Sequence, residues 1–365
     1  MRRFSLPRWA RYTIYTLGAL IAGCAAAHFA QSESKLPAFD AKRIERSSAP
    51  AWSVWTRYTT PVFPGQYPAT GDPSVIRDGD HLLMAYSCFD PRRKRPETCL
   101  ATSKDGFAWQ FVAQGDDALK GQALRAGSSR WADTHETPFL MKWKGRYWLY
   151  VSGYNDRGGG SMNSFPAYLG LAESDDARQF RFVSPEPVMK GTPGWYDSDA
   201  IFSASVVEDK GTLYMVYAGH CWHNCKVKPG VYLLGATSTD GRSWRKHDRQ
   251  LFEGAKMPAF YKQYAGEPEI VKGPDGMFYL FFSALQGDDP HMIGLARGPT
   301  PFGPWEFRPE PIVRAAADGP NDAETVAPSV LIEDGRARMW FSGFSKRRMK
   351  AIAIYYAEAP WPLKQ

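Results

Sequence analysis

The sequence predicts an all-β protein: a five-bladed β-propeller of four-stranded antiparallel blades, closed into a ring by its N-terminal strand. Three observations carry this: a fivefold repeat, a recurring turn signature, and a match between the two chain ends. The repeat runs polar residue, Pro, apolar strand, Gly turn, apolar strand. It reads Asp72-Pro73-Ser74-Val75-Ile76, Thr137-Pro138-Phe139-Leu140, Ser203-Ala204-Ser205-Val206-Val207, Glu267-Pro268-Glu269-Ile270-Val271 and Ala327-Pro328-Ser329-Val330-Leu331. Measured from the Pro, or from Ala204 in the third copy, the steps are 65, 66, 64 and 60 residues. A period of that length holds several strands, so each copy is read as one blade whose first strand points at a common axis.

The first repeat shows the four strands most openly. Strand A is expected at Ser74–Arg77, a turn at Asp78-Gly79, strand B at His81–Ser87, strand C at Cys99–Ser103 and strand D near Trp109–Val112. The B strands of the other repeats are aromatic and apolar without alternation (Tyr147-Trp148-Leu149-Tyr150, Leu213-Tyr214-Met215-Val216-Tyr217, Met277–Phe282, Met339-Trp340-Phe341), which is expected of strands covered on both faces by neighbouring blades. The turn between strands C and D repeats as Ser103-Lys104-Asp105-Gly106-Phe107-Ala108-Trp109 and Ser238-Thr239-Asp240-Gly241-Arg242-Ser243-Trp244, with Ser174-Asp175-Asp176-Ala177-Arg178-Gln179-Phe180 as a variant. Asp before Gly tightens a hairpin, so Asp105, Asp176 and Asp240 are read as structural. The fifth repeat ends after strands at Ser329–Ile332, Arg338–Ser342 and Ala351–Ala357. Its missing fourth strand is supplied by Trp55–Val62, which resembles Trp305–Ile312 and would leave no open edge.

Three regions follow: a leader at 1–27, a polar unpatterned tether at 28–51 and the propeller at 52–365. The leader carries Arg2, Arg3, Arg8 and Arg11 before an apolar stretch from Tyr12 to Ala27, the layout of an export signal. Leu20-Ile21-Ala22-Gly23-Cys24 resembles a bacterial lipobox, which makes Cys24 the expected lipidation site and the membrane a partner through the lipid or the leader. The expected location is therefore the bacterial cell envelope. The formal charge of +7 falls to about +3 without the leader arginines, and no basic run remains, so nucleic acid is not expected as a partner. Cys88, Cys99, Cys221 and Cys225 form an even set in an oxidising compartment. Three pairings are open, of which the local one, Cys88 with Cys99 and Cys221 with Cys225, is the simplest. A metal site in His220-Cys221-Trp222-His223-Asn224-Cys225 competes with it, but the spacing matches no structural zinc pattern.

Acids at the strand A starts converge on one cleft, and B–C loops return to the same face. Asp72 is the first such acid, and Glu136 and Glu267 compete for second. Two carboxyl groups, one protonated and one ionised, are the minimum for glycoside hydrolysis. In extended chain Glu136, two residues before Pro138, and Glu267, one before Pro268, face opposite ways unless a bulge corrects one. Asp197 and Asp199 precede strand A of the third repeat. Tyr154, Trp222, His223 and His291 sit on B–C loops suited to sugar binding.

At Gly71-Asp72-Pro73-Ser74-Val75, His135-Glu136-Thr137-Pro138-Phe139 and the Ser-x-Asp-Gly-x-x-Trp turns, the chain resembles the five-bladed propeller glycoside hydrolases. These are the arabinanases, arabinofuranosidases and β-xylosidases of family 43, with invertase and levansucrase types as cousins. The resemblance spans about residues 52 to 360. It implies Asp72 as general base, Glu136 as proton donor and Asp199 as the assisting carboxylate. Asp197, Glu267, Tyr154, Trp222, His223 and His291 then bind an oligo- or polysaccharide. Ser203 stands where a further Asp belongs by register, and no fructosidase motif is present. The expectation is an exported, monomeric, inverting hydrolase of an arabinoside- or xyloside-type glycan. It would require no cofactor, with a structural ion in the central channel left open. A non-catalytic glycan-binding lipoprotein and a propeller phosphorylase are the alternatives.

Overall fold

The structure, a computed structural model, describes residues 44–46, 55–58, 60–65, 69–90, 93–112, 121–124, 127–157, 161, 164–285, 287, 290–315, 324–344 and 352–363. The leader, Cys24 and most of the tether lie outside these residues. No helix among the described residues is long and apolar enough to cross a membrane.

Two short strands come first in the chain, β1 (Ile44–Arg46) and β2 (Thr56–Tyr58). Blade 1 contains β3 (Gly71–Asp78), β4 (His81–Asp90), β5 (Arg95–Ser103) and β6 (Trp109–Phe111). Blade 2 contains β7 (Thr134–Trp143), β8 (Arg146–Tyr154), β9 (Tyr168–Ser174) and β10 (Arg181–Phe182). Blade 3 follows with β11 (Ala200–Asp209), β12 (Thr212–Cys221), β13 (Gly230–Ser238) and β14 (Arg245–Lys246). Blade 4 has β15 (Tyr264–Lys272), β16 (Phe278–Leu285), β17 (Met292–Gly298) and β18 (Glu306–Phe307). Blade 5 has β19 (Glu324–Glu333), β20 (Arg336–Phe344) and β21 (Ile352–Pro360), and β2 pairs with β21 to complete it from the other end of the chain.

The expected five blades and their closure are therefore present. The tether differs in one detail: Ile44–Arg46 pairs with β2 as a fifth strand of the last blade. A lone β2 would leave a row of unpaired backbone groups at the edge, and β1 covers it.

The apolar residues of the B strands pack between blades. One buried cluster joins Trp148, Tyr150, Leu213 and Met215 across blades 2 and 3, and another joins Phe281, Leu295, Met339 and Phe341 across blades 4 and 5. The C–D turns lock these seams. Asp105 Oδ1 accepts the Phe107 and Ala108 N–H groups at 2.8 and 2.9 Å, and Asp240 Oδ1 does the same for Arg242 and Ser243 at 2.9 and 2.8 Å. The Gly106 carbonyl accepts both Trp109 Nε1–H and, from blade 5, Trp340 Nε1–H, each at 2.9 Å. Backbone N–H groups hold all three turn carboxyls, Asp105, Asp176 and Asp240, below their ordinary range. Both local disulfides are formed, Cys88–Cys99 and Cys221–Cys225.

Every strand A carries the same irregularity. In blade 1, Gly71 pairs with Ser87 and Ser74 with Ala85, so two residues, Asp72 and Pro73, oppose Tyr86 alone. The same bulge recurs after Glu136, Phe202, Gly266 and Val326. Its first residue is left-handed in all five: Asp72 (φ 49°), Thr137 (49°), Ser203 (50°), Glu267 (44°) and Ala327 (51°). Such a conformation costs about 1–3 kcal/mol in a residue with a Cβ and persists only where surroundings impose it. Here the neighbouring blade imposes it. Asp72 N–H donates to Ser342 Oγ (2.7 Å), Thr137 N–H to Ser87 Oγ (2.9 Å), Ser203 N–H to Ser152 Oγ (3.3 Å) and Ala327 N–H to Ser283 Oγ (2.9 Å). Only blade 3 departs, with Ala218 at the serine position.

A second belt lies one step deeper. Val75, Leu140 and Ile270 N–H groups donate to Ser329, Ser74 and Ser205 Oγ of the preceding blade at 2.9, 2.8 and 3.0 Å. Blade 4 places Glu269 in this belt, accepting Val330 N–H at 3.3 Å and Ser205 Oγ–H at 2.9 Å. Burial pushes the Glu269 carboxyl up to about 8. A carboxyl whose folded value is raised stabilises the fold fully below its unfolded value near 4.5, and that contribution is lost as pH rises toward about 8. Thermal unfolding should therefore weaken between pH 5 and pH 8. Glu269→Gln should remove on the order of 3 kcal/mol of that slope. An identical pH slope in the variant, read by scanning calorimetry, would assign the effect elsewhere.

Candidate active site

The bulge decides which acids share the channel end. Because all five blades carry it in the same phase, Asp72 and Glu267 occupy equivalent positions on blades 1 and 4. Each is held the same way: Ser87 on β4 donates to Asp72, and Ser283 on β16 donates to Glu267. Each hydroxyl meanwhile accepts the N–H of the following blade's bulge, Thr137 or Ala327. One oxygen per acid is thereby fixed, while Asp72 Oδ2 and Glu267 Oε2 meet no protein donor. Thr137 fills the equivalent place in blade 2, donating from Oγ1 to Ser152 Oγ at 2.7 Å. In blade 3 it is Ser203, whose N–H also reaches Thr137 Oγ1 at 3.2 Å.

Burial raises both acids. Asp72, 8% exposed, is pushed up to about 6. Glu267 is pushed up to about 7, with the Asp72 and Glu324 carboxyls adding to the rise and His291 and Ser283 opposing it. Glu267 is half-buried as a residue, while its Oε2 is enclosed.

Glu136 stands one residue before the bulge position, so the pleat sends it elsewhere. It is 2% exposed, beside the hydroxyls of Tyr154 and Ser161. Burial, with Asp72 and Asp156 as like charges, pushes it up to about 8. It thus borders Asp72 without sharing its register.

The other expected residues separate into two groups. Tyr154 lies against Glu136, and His291, 1% exposed, lies beside Glu267. Trp222 and His223 lie on the rim, in the loop closed by Cys221–Cys225, with the exposed His223 ring 5.6 Å from Phe165. Asp197 and Asp199 take up other duties. Asp197 is fully buried, bound through Oδ2 to Lys246 Nζ (2.6 Å) and Tyr217 Oη (3.0 Å) and through Oδ1 to Thr192 N–H (2.8 Å). Asp199 Oδ2 accepts the backbone N–H groups of Trp222 and, at 2.7 Å, His223. Both oxygens of Asp197 and the Oδ2 of Asp199 are held by protein groups.

Two residues at this end carried no motif. Tyr264 opens β15, and a Cβ on Gly266 would lie 2.4 Å from its hydroxyl, so only glycine fits there. Glu324 opens β19 and reaches His291. Both stand at the starts of inner strands, a positional signal the sequence did contain.

Among the described residues, the one cluster of three or more His, Cys, Asp or Glu ligand atoms within reach of each other is Asp199, Cys221 and Cys225, and both sulfurs are committed to the disulfide. No step below passes through an ion.

The family model described as "Glycosyl hydrolases family 43" matches residues 58–356. No curated protein sequence matches. Among solved structures, an endo-arabinase from Bacteroides thetaiotaomicron is 17% identical with a TM-score of 0.58, covering 81% of this chain and 95% of its own. An endo-1,4-beta-xylanase from the same organism is 17% identical with a TM-score of 0.58, over 81% of this chain and 92% of its own. An alpha-L-arabinofuranosidase from Clostridium thermocellum is 14% identical with a TM-score of 0.56, over 79% and 89%. At these identities the likeness is one of fold.

Proposed function

Because the chain belongs to glycosyl hydrolase family 43 and is a glycoside hydrolase acting on carbohydrate, we propose that it cleaves an arabinoside- or xyloside-type glycan with inversion, Asp72 acting as base and Glu267 as proton donor. The observation that carries this is the matched setting of the two acids: same bulge, same serine hold, one unpaired oxygen each. Asp72, ionising first, takes a proton from water as that water attacks the anomeric carbon. Glu267 gives its proton to the departing oxygen. Blade 5 lies between their two blades and carries the small Ala327 at its bulge position, and inversion calls for a carboxyl separation of ~6.5–9.5 Å to admit a water. The sugar class is supported by the arabinan and xylan enzymes that share the fold.

The donor assignment moves from Glu136 to Glu267, because the bulge gives Glu267 the register of Asp72. The proposal keeps the protein at the bacterial envelope as a monomer held by lipidated Cys24. The arginine-rich leader and two disulfides support an oxidising location. Chromogenic arabinofuranosides, xylosides and galactosides, assayed with and without phosphate, test the reaction. Release from an arabinoside or xyloside independent of phosphate is expected. Turnover only with phosphate would make the enzyme a phosphorylase, and release from the galactoside alone would overturn the sugar class.

A further inference from the structure

The bulge positions of blades 2 and 3 are neutral, Thr137 and Ser203. Titratable groups stand at blades 4 and 5. His291 lies in the connection between β16 and β17, and its carbonyl accepts both the N–H (3.1 Å) and the Oγ1–H (2.9 Å) of Thr325 on β19. Its ring meets Tyr264 edge-on at 5.0 Å, and its Nδ1 stands 3.4 Å from Glu324 Oε2. The imidazole thus stands against a carboxyl of the next blade and within electrostatic reach of Glu267 of its own, whose Oε2 meets no protein donor.

We propose that His291 and Glu324 form a positioning pair for Glu267, holding a cation beside the proton donor where the Ser203 register supplies no third carboxylate. The inference rests on Glu267 being the donor. The groups facing Glu267 are His291, Asp72, Glu324 and the Ser283 hydroxyl, with the neutral Tyr264 phenol alongside. Those facing His291 are Glu324 and Glu267. Burial works against the imidazolium, and the two carboxyls outweigh it, so the His291 value is raised. During turnover the Glu267 proton passes to the leaving oxygen and water's proton passes to Asp72. His291 keeps its own proton and stabilises the new Glu267 carboxylate in a site with little water. Solvent then returns the proton from Asp72 to Glu267.

Two measurements test this. Nitrogen-detected NMR should find the His291 titration above that of a free imidazole, and lower in both Glu324→Gln and Glu267→Gln. In His291→Gln the alkaline limb of kcat/KM should move up by about half a unit or more, as Glu267 holds its proton more tightly. Its kcat should fall about tenfold on an alkyl glycoside and little on a nitrophenyl glycoside, with Tm almost unchanged. A His291 titration indifferent to Glu267→Gln overturns the pair whatever the substrate. So does an unmoved alkaline limb in a folded His291→Gln enzyme. If Glu267→Gln shifts His291 yet retains full hydrolysis, the pairing stands and the donor reading fails.

Discussion

Asp72→Asn is expected to lower kcat by a factor on the order of 10³ or more on every glycoside, with the propeller intact. Asn is close in volume and tolerates the left-handed conformation as Asp does, and the bond to Ser342 Oγ comes from the backbone N–H, which the substitution leaves in place. What disappears is the acceptor for water's proton. The wild-type pH profile identifies the same group. Asp72 is raised to about 6 by burial, so activity should climb as pH passes that value and the base ionises. It should fall again as Glu267, raised to about 7, loses its proton. The two carboxyls act on each other, so the limbs belong to the pair, and the profile should be a narrow bell centred between them. Full activity in Asp72→Asn would remove the base and with it the hydrolytic scheme.

The ring was legible because its signals are local and repeated. The Pro at four of the five strand A starts, the Asp in the C–D turns of blades 1 to 3 and the aromatic B strands recur within a few residues of one another, and the cysteines pair within their own blades. The two candidate donors were harder to tell apart because one residue of phase separates them. Glu136 and Glu267 both precede a proline, by two residues and by one, and the pleat sends them apart. A bulge could have corrected either one; it occurs at the same phase in every blade, so the residue directly before the proline shares the site. Counting from Pro73 and Pro268 alone pairs Asp72 with Glu267.

Asp197 and Asp199 have partners that the sequence does not signal. They sit near the right strand, but the partners that claim them are distant: Lys246 lies 49 positions beyond Asp197, and the Trp222–His223 backbone 23 and 24 beyond Asp199. Ile44–Arg46 is too short to show an alternation, and its backbone pairs along the edge of β2.

Glu267→Gln separates the two candidate donors. A proton donor matters in proportion to the basicity of the leaving oxygen. An alkyl or sugar alkoxide cannot depart unprotonated, whereas a dinitrophenolate can. Glu267→Gln should therefore cost about 10³-fold in kcat on an oligosaccharide and far less on a dinitrophenyl glycoside, and its alkaline limb should vanish, since Gln has no proton to lose. Glu136→Gln should behave otherwise. Glu136 is enclosed beside Tyr154 and Ser161, and the Asp72 carboxylate helps hold its value up, so Glu136 is still neutral where Asp72 ionises; Gln should leave the acidic limb in place and affect good and poor leaving groups alike. The reverse pattern, with leaving-group dependence in Glu136→Gln and a uniform loss in Glu267→Gln, would return the donor role to Glu136. It would mean that the pleat reorients when substrate binds.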